Sequence, residues 1–242
     1  MKKSKSSSPR FSKASPGGTS SASGRSAGLS SKSFQADHFP GFSAGDLRAL
    51  EDYYADQLRR HKTPQQRVGW NTEESQRVRF EALASVGKLQ GTKILDVGCG
   101  LGGFWGYLKD QKIRADYTGV DLFPNVIREA KRTYPGIKFE ARNLLAMPFD
   151  SQKYDYSFLS GVFNVKVRDN IRYMKAVLNS VLQQTRKAVA FNVLNSEAGI
   201  KESNRFMVGP RELVELGRQL EVSRVHLLDH YHHLHLTLFL YK

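Results

Sequence analysis

The feature that most constrains the fold is a short apolar run that contains one acid and opens into a glycine-rich turn. Residues 94–97 read Ile-Leu-Asp-Val, and a glycine then stands at each of positions 98, 100 and 102. Apolar runs of this length are typical of strands buried in a parallel sheet. Because glycine lacks a Cβ, such a turn lets a ligand touch the backbone. The helix predicted from about residue 101 directs free N–H groups toward the same place.

A second acid repeats this arrangement one strand later. Residues 117–121 form another apolar run that ends at Asp121, 23 positions after Gly98. In a strand–helix–strand unit, an acid about 20 residues past the glycine turn lies beside the ribose of a bound nucleoside. The two acids and the spaced glycines therefore predict a nucleoside site at the carboxyl ends of two neighbouring strands.

These segments resemble the class I, seven-stranded S-adenosylmethionine (SAM) methyltransferases. The resemblance rests on Ile-Leu-Asp-Val-Gly-Cys-Gly-Leu-Gly at 94–102 and Gly-Val-Asp at 119–121, and it continues through 142–149 and 154–164. It implies SAM as the cofactor and a Rossmann-like three-layer α/β/α sandwich, with a mostly parallel seven-stranded sheet and an antiparallel last strand. The residues expected to contact the cofactor are Asp96, Gly98, Cys99, Gly100, Gly102, Asp121, Leu122, Asn143, Leu144, Ser160 and Gly161.

The same resemblance suggests how the contacts divide. Asp96 and the glycine turn would hold the amino-acid end of SAM, and Asp121 would hold the ribose. The segment around Asn143 would meet adenine; the family often has Asp at that place, and an amide can still accept a hydrogen bond from the adenine amino group. Ser160 and Gly161 are small enough to let the sulfur of SAM pass close.

Two other interpretations of the turn stay open from the residues alone. Gly98, Gly100 and Gly103 also satisfy the dinucleotide pattern G-x-G-x-x-G. However, an acid two residues before the first glycine would repel a pyrophosphate, whereas SAM carries an ammonium and a sulfonium there. The turn could also be structural and bind no ligand.

Strand and helix signals alternate along the chain, which argues for a parallel sheet with helices on both faces. Strands are predicted at 93–97, 115–121, 137–140, 155–160 and 187–194, followed by a closing antiparallel pair near 223–229 and 233–241. Helices are predicted at 44–60, from 71 or 72 to about 86, and at 101–111, 124–133, 168–184 and 210–219. We expect a helical cover over 36–90 and the SAM-binding core over 91–242.

The charge of the chain is unevenly distributed. Residues 1–35 contain seven basic residues, no acid and 13 serines, and so carry half of the net charge of +14. A segment of this composition is predicted to be a disordered basic tail. It would act as a solvated tail, add loose attraction to RNA or anionic surfaces, or serve as an organellar targeting segment. No run approaches the 18 apolar residues of a membrane span, so a cytoplasmic location is predicted.

Candidates for the acceptor side and for metal binding are less specific. Asn164, at the end of a predicted strand, either orients the acceptor or caps a turn, and Tyr231 and His232 are further candidates near the acceptor. Tyr53, Tyr54 and His61 either roof an acceptor pocket or belong to a packed helix. The histidine-rich segment 229–235 lacks a second ligand group, and Cys99 is the single cysteine, so no metal site is expected.

Residues 68–80 precede the first core strand, where such a segment often covers the cofactor. The candidate contacts are Trp70, Gln76 and Arg79, and Arg79 could pair with the carboxylate of SAM. The alternative is that Trp70 and Phe80 pack in the core and Arg79 forms a surface ion pair. The prediction is therefore SAM-dependent methyl transfer to an acceptor that the sequence does not identify, with a small molecule as the first expectation. The alternatives are an RNA (rRNA or tRNA) methyltransferase and a catalytically silent scaffold of the same fold that binds RNA.

Overall fold

The computed structural model describes residues 39–61, 63, 67, 72–149, 153–199 and 202–242. The predicted tail, residues 1–35, lies outside the described residues, and so does Trp70. No described helix combines the length and the apolar character that crossing a membrane requires.

Six α-helices and eight strands are described, with one 3₁₀ turn at Ser196–Ala198. The helices are α1 (Ala44–Arg60), α2 (Glu73–Ala84), α3 (Gly103–Asp110), α4 (Pro124–Thr133), α5 (Asn170–Gln183) and α6 (Pro210–Arg218). The strands are β1 (Lys93–Val97), β2 (Asp116–Asp121), β3 (Lys138–Ala141), β4 (Tyr154–Leu159), β5 (Thr185–Asn195), β6 (Met207–Val208), β7 (Arg224–Leu228) and β8 (His235–Tyr241).

The strands form one sheet in the order β3-β2-β1-β4-β5-β8-β7, and the short β6 pairs with β5 off this path. Strands β1 to β5 pair in parallel, whereas β8 is antiparallel to both of its neighbours. The predicted mostly parallel sheet with an antiparallel last strand is confirmed. Because β1 lies between β2 and β4, the chain reverses its direction of travel across the sheet there, which is where ligands bind in open α/β folds.

Both faces of the sheet are buried, as a three-layer sandwich requires. Successive residues of a strand point to opposite faces, so Leu95 belongs to one apolar cluster and Ile94 to the other. The first cluster contains Leu178 of α5 and Leu213 of α6, and the second contains Leu108 of α3. The predicted α/β/α architecture is thereby confirmed.

The N-terminal helices occupy two different positions. Helix α2 packs on the sheet against β5 and β8, as a member of one helical layer. The N-cap of α1 is Ser43, whose side chain and that of Asp46 form a capping box. Its apolar residues Leu50, Tyr54 and Leu58 pack against Leu101, Phe123 and Val126, beside the glycine turn and the start of α4. The domain boundaries at 35 and 90 stay predictions.

A tight turn holds the segment before α1 against the start of α5. Gly41 has φ 91°, its carbonyl accepts a hydrogen bond from the Asp169 N–H, and a Cβ there would lie 2.2 Å from the Asp169 carbonyl oxygen. The neighbouring Phe42 ring meets Tyr173 of α5 edge-on, with 4.6 Å between centroids. The absence of a side chain at Gly41 therefore permits this docking.

We expect Gly41→Ala to destabilise the fold more than the matched control Gly136→Ala. Gly136 has a similar φ of 85° but no atom within 4 Å of an added Cβ. Gly136→Ala should therefore lower the free energy of unfolding by only about 1 kcal/mol, the cost of a side chain at positive φ. Gly41→Ala should lower it by about 2–4 kcal/mol, because a steric clash is added. Urea unfolding measures both, and equal losses would contradict the docking of this segment.

Candidate functional site

A cavity of about 380 Å³ opens at the carboxyl ends of β1, β2 and β4, a volume within the range of small-ligand sites. Ten of the residues predicted to contact the cofactor line it: Asp96, Gly98, Cys99, Gly100, Asp121, Leu122, Asn143, Leu144, Ser160 and Gly161. They come from four separate stretches of chain, which the parallel order of the sheet brings to one edge.

The glycine turn after β1 forms the floor of this cavity. Gly98 and Gly100 adopt φ values of 69° and 55°, which side chains rarely tolerate. A Cβ on Gly98 would also lie 2.6 Å from a methyl group of Val162, which follows β4. The turn therefore keeps its backbone bare on the cavity side because two strand ends approach each other closely.

Gly102 does not line the cavity, in contrast to its predicted contact with the cofactor. It precedes α3 with φ 81°, and a Cβ there would lie 2.7 Å from the Phe139 ring and 3.0 Å from the Tyr134 ring. Its place in the glycine pattern reflects close packing of α3 on β3 and α4. The spacing in the sequence could not separate this packing role from ligand contact.

Asp121 joins the two strand ends. Its Oδ2 accepts the Gly100 N–H at 3.0 Å, and its Oδ1 accepts the Phe123 N–H at 3.1 Å. Burial raises the pKa of this carboxyl, although the backbone hydrogen bonds oppose the shift. Each carboxylate oxygen can accept more than one hydrogen bond, so capacity is left for ligand hydroxyls.

Asp96, on β1, is the second acid of the cavity and is 2% exposed. Burial raises its pKa to about 7; the Tyr117 hydroxyl, 2.5 Å from Oδ2, opposes this shift and the nearby Asp121 adds to it. Neither carboxylate forms an ion pair with a described residue. Two buried acids without a cation favour a ligand that brings its own positive charge.

Asn143 and Leu144 line the cavity beyond the end of β3. The Asn143 Oδ1 accepts the Leu145 N–H at 3.0 Å and so closes its own short turn. This oxygen, expected to accept from an adenine amino group, therefore already has a backbone partner. Nearby, the Arg142 guanidinium lies 4.1 Å from the centroid of the Phe149 ring.

The opposite wall of the cavity is built at the end of β4. The side chain of Asn192 on β5 accepts the Gly161 N–H at 2.9 Å and approaches the Ser160 hydroxyl at 3.4 Å. Asn164 is 7% exposed and lines the cavity, and its Oδ1 has no hydrogen-bond partner among the described residues. An unpartnered buried oxygen disfavours a simple turn cap and indicates an acceptor that awaits a donor.

Arg79 does not face the cavity, in contrast to its expected ion pair with a ligand carboxylate. It lies on the buried face of α2, where its guanidinium donates to the Ser75 backbone and hydroxyl oxygens and contacts the His235 ring. Gln76, the other candidate on this helix, does line the cavity, and so does Arg77. The reason is the rotation of α2: its buried face packs on β8, and Arg79 belongs to that face.

Tyr231 and His232 also lie away from the cavity wall. The Tyr231 hydroxyl accepts from Thr237 at 2.9 Å, and His232 Nδ1 accepts the Leu234 N–H at 3.1 Å. Burial and the Arg79 guanidinium lower the pKa of His235, whose ring lies 5.0 Å from that of His232. Within the described residues, no group of three His, Cys, Asp or Glu side chains is placed to hold a metal.

Several cavity residues had weak signals or none in the sequence. Tyr53 and Tyr54 of α1 line the cavity, whereas His61 does not. Arg205 lines it as well, although it lies in an irregular segment between β5 and β6. Its place depends on pairing with a distant segment, and no local pattern predicts such pairing.

Comparison with known proteins agrees with this geometry. Residues 94–185 match a family described as a methyltransferase domain. A Mycobacterium tuberculosis protein named as a methyltransferase, Rv1506c, is 30% identical over 144 residues, which cover 57% of this chain and 86% of that protein. The phthiotriol/phenolphthiotriol dimycocerosates methyltransferase of the same species is 31% identical over 151 residues, 60% of this chain but only 54% of that enzyme.

The fold is also that of a solved enzyme. The SAM-dependent methyltransferase of Archaeoglobus fulgidus superposes with a TM-score of 0.55 at 13% identity, over 71% of this chain and 95% of that one. At that identity the likeness concerns the fold alone.

We expect the carboxyl of Asp96 to titrate near pH 7 in protein to which no cofactor is added. Carbon-13 NMR of the side-chain carboxyls measures it. Tyr117→Phe should raise the midpoint further, because the hydroxyl hydrogen bond favours the charged form. Tyr107→Phe, which removes a cavity hydroxyl without a bond to Asp96, should leave it unchanged. A midpoint near 4 in the unaltered protein would contradict this account of the site.

Proposed function

The chain belongs to the class I SAM-dependent methyltransferases, and we propose that it methylates a small molecule whose nucleophile donates a hydrogen bond to Asn164. Its cofactor is SAM. The small-molecule acceptor and the residue roles below are our proposal.

The geometry of the cavity supports the following assignment of contacts to SAM. We assign the ribose hydroxyls to Asp121 and the cationic amino-acid end to Asp96 and the bare backbone of Gly98 and Gly100. The charges support this assignment, because neither buried carboxylate has a cationic partner in the described part of the chain. Asn143 and Leu144 would flank adenine.

Two further assignments differ from those made on the sequence. Arg77, together with the sequence candidate Gln76, lines the cavity where Arg79 does not, so we assign these two residues the role beside the ligand carboxylate. Gly102 acts as a packing residue and not as a cofactor contact. Cys99 and Leu122 line the cavity and fill space around the turn.

SAM supplies a methyl carbon whose bond to sulfur breaks as a lone pair of the acceptor attacks it. Because this leaving group departs easily, the protein mainly has to position the nucleophile and exclude water. Asn164 suits the first task, since its buried Oδ1 can fix an acceptor O–H or N–H. Ser160 and Gly161 suit the approach of the reacting atoms, because they present little bulk at the end of β4.

One observation carries the choice of a small acceptor. Aromatic side chains of the segment 39–42 and of α1, among them Phe42, Tyr53 and Tyr54, line the cavity. Tyr53 hydrogen-bonds Arg205, whose backbone pairs with the residue after Asn164. A nucleic-acid acceptor would call for an accessible basic surface at this point, because most protein contacts to nucleic acid go to phosphate and sugar. The covered, largely apolar wall fits a small molecule better.

The direct experiment is transfer of a tritiated methyl group from SAM to cell lysate separated into RNA, protein and metabolite pools. We expect label in the metabolite pool. Asn164→Ala should reduce the transfer rate by about tenfold to a hundredfold while the Kd for SAM changes little, because orientation of the nucleophile is lost. The exposed Asn204→Ala serves as the matched control and should keep full activity.

Other outcomes would replace this proposal with a specific alternative. Label in the RNA pool would establish an RNA methyltransferase. SAM binding measured by calorimetry, with no label in any pool, would favour a silent scaffold. An unchanged rate in Asn164→Ala would remove Asn164 from the acceptor site.

A further inference from the structure

We infer that the acceptor carries an anionic group, a carboxylate or a phosphate, on a largely apolar body, and that Arg205 recognises this group. The inference rests on the proposed function and specifies the class of its substrate. It is carried by the position of Arg205, by its charge and by the composition of the wall around it. For this purpose the acceptor wall is defined as Phe39, Phe42, Tyr53, Tyr54, Tyr173 and Arg205, all of which line the cavity.

Backbone pairing brings the segment that contains Arg205 beside Asn164. Val165 and Arg205 form an isolated antiparallel bridge, and the Phe206 N–H donates to the Asn164 carbonyl at 3.0 Å. The Lys166 N–H donates to the Asn204 carbonyl at the same distance, 3.0 Å. The segment around Arg205 is thus tied to the chain that leaves β4. Asn164 and Arg205 both line the cavity, so we place the anionic group of a ligand held by Asn164 at the guanidinium.

Arg205 keeps its positive charge in this position. Burial alone would lower its pKa, but hydrogen bonds to the Glu202 carboxylate and the Tyr53 hydroxyl outweigh that effect and raise it. The Nε–Glu202 bond is 3.1 Å long, and Glu202 lies at the solvent edge with 56% of its side chain exposed. A guanidinium has five N–H donors, more than these two acceptors use, and its planar edge suits a carboxylate or a phosphate.

The rest of the acceptor wall is aromatic and neutral. Tyr53 and Tyr54 pack edge to face at 5.2 Å, and Phe42 and Tyr173 do so at 4.6 Å. Burial raises the pKa of both Tyr54 and Tyr173, so these phenols stay uncharged at neutral pH. Of the described residues on this wall, Arg205 is therefore the one that carries a charge.

The remaining charged groups of the cavity lie on other walls. Asp96 and Asp121 stand at the glycine turn, from which Asp121 also raises the pKa of Tyr54 and Tyr173. Arg142 bonds to Glu140, and the other charged groups are on α2 and α3. The side chain of Arg205 is 26% exposed and its Nε pairs with Glu202, so an anion bound to its remaining N–H groups is screened less than in open solvent. An acceptor with an apolar body and one anionic group would pack against the aromatic rings of this wall and bind Arg205.

The test begins with the labelled metabolites from the methyl-transfer assay, separated by charge on ion exchangers. We expect the label in the anionic fraction. Treatment of that fraction with alkaline phosphatase distinguishes the sources, because a phosphate is removed and a carboxylate is not. The labelled acceptor is then identified and compared with its neutral analogue, the methyl ester of a carboxylate or the alcohol left after removal of a phosphate.

The unaltered enzyme should prefer the anionic acceptor to its neutral analogue by at least about tenfold in kcat/KM, mainly through KM. Arg205→Met should remove most of that preference while the Kd for SAM stays unchanged, and Arg205→Lys should retain part of it. Arg168→Met, which changes an exposed arginine near the same segment, is the matched control and should behave like the unaltered protein. A structural role alone would lower activity on both acceptors equally.

Label in the neutral or cationic fraction, or equal kcat/KM for the two acceptors in the unaltered enzyme, would overturn the inference and leave the proposed function intact. If Arg205→Met fails to fold, the comparison of kcat/KM for the two acceptors in the unaltered enzyme still tests whether the acceptor is recognised through an anionic group. A lack of any labelled metabolite would overturn the proposed function, and this inference with it.

Discussion

The site depends on one carboxylate that holds three elements together. Through its two oxygens, Asp121 at the end of β2 accepts N–H groups from the turn after β1 and from the start of α4. Phe123, whose N–H it accepts, also packs against Tyr54 at 5.4 Å and so anchors α1. The glycine turn, the helix after β2 and the aromatic cover therefore share a single polar anchor, buried at the edge where parallel strands end.

The charges that line the cavity differ between the glycine turn and the acceptor wall. Asp96 and Asp121 place two acids at the glycine turn, and burial raises the pKa of each. On our proposal a cationic cofactor relieves this accumulation of negative charge when it binds. Across the cavity Arg205 supplies the opposite charge on an aromatic wall. On our proposal this arrangement holds a cationic methyl donor at the turn and an anionic acceptor at the acceptor wall.

Local patterns in the sequence were sufficient for much of the fold. Helix α1 and strands β1 and β8 follow from periodicity, caps and apolar runs, and the structure confirms the sheet built from them. The parallel order then brought ten of the predicted residues to one cavity. The short strand β6 was missed, because two residues give no periodicity.

Prediction from the sequence failed for residues whose position is set by packing between segments that are distant in the chain. Gly102 looks like its neighbouring glycines but faces Phe139 and Tyr134, and the side of α2 that Arg79 occupies is set by contact with β8. Arg205 reaches the cavity only because its segment pairs with the residues after β4. Each of these placements depends on tertiary contacts, which neither composition nor spacing encodes.

The central claim is that the two carboxylates and the bare turn hold SAM, and isothermal titration with SAM tests it most directly. Asp121→Asn keeps the size of the side chain but turns an NH₂ group toward a backbone N–H. We expect a loss of affinity of about tenfold or more. Asp116→Asn, at the exposed opposite end of the same strand, should bind as the unaltered protein does. Unchanged affinity in a folded Asp121→Asn protein would contradict the account.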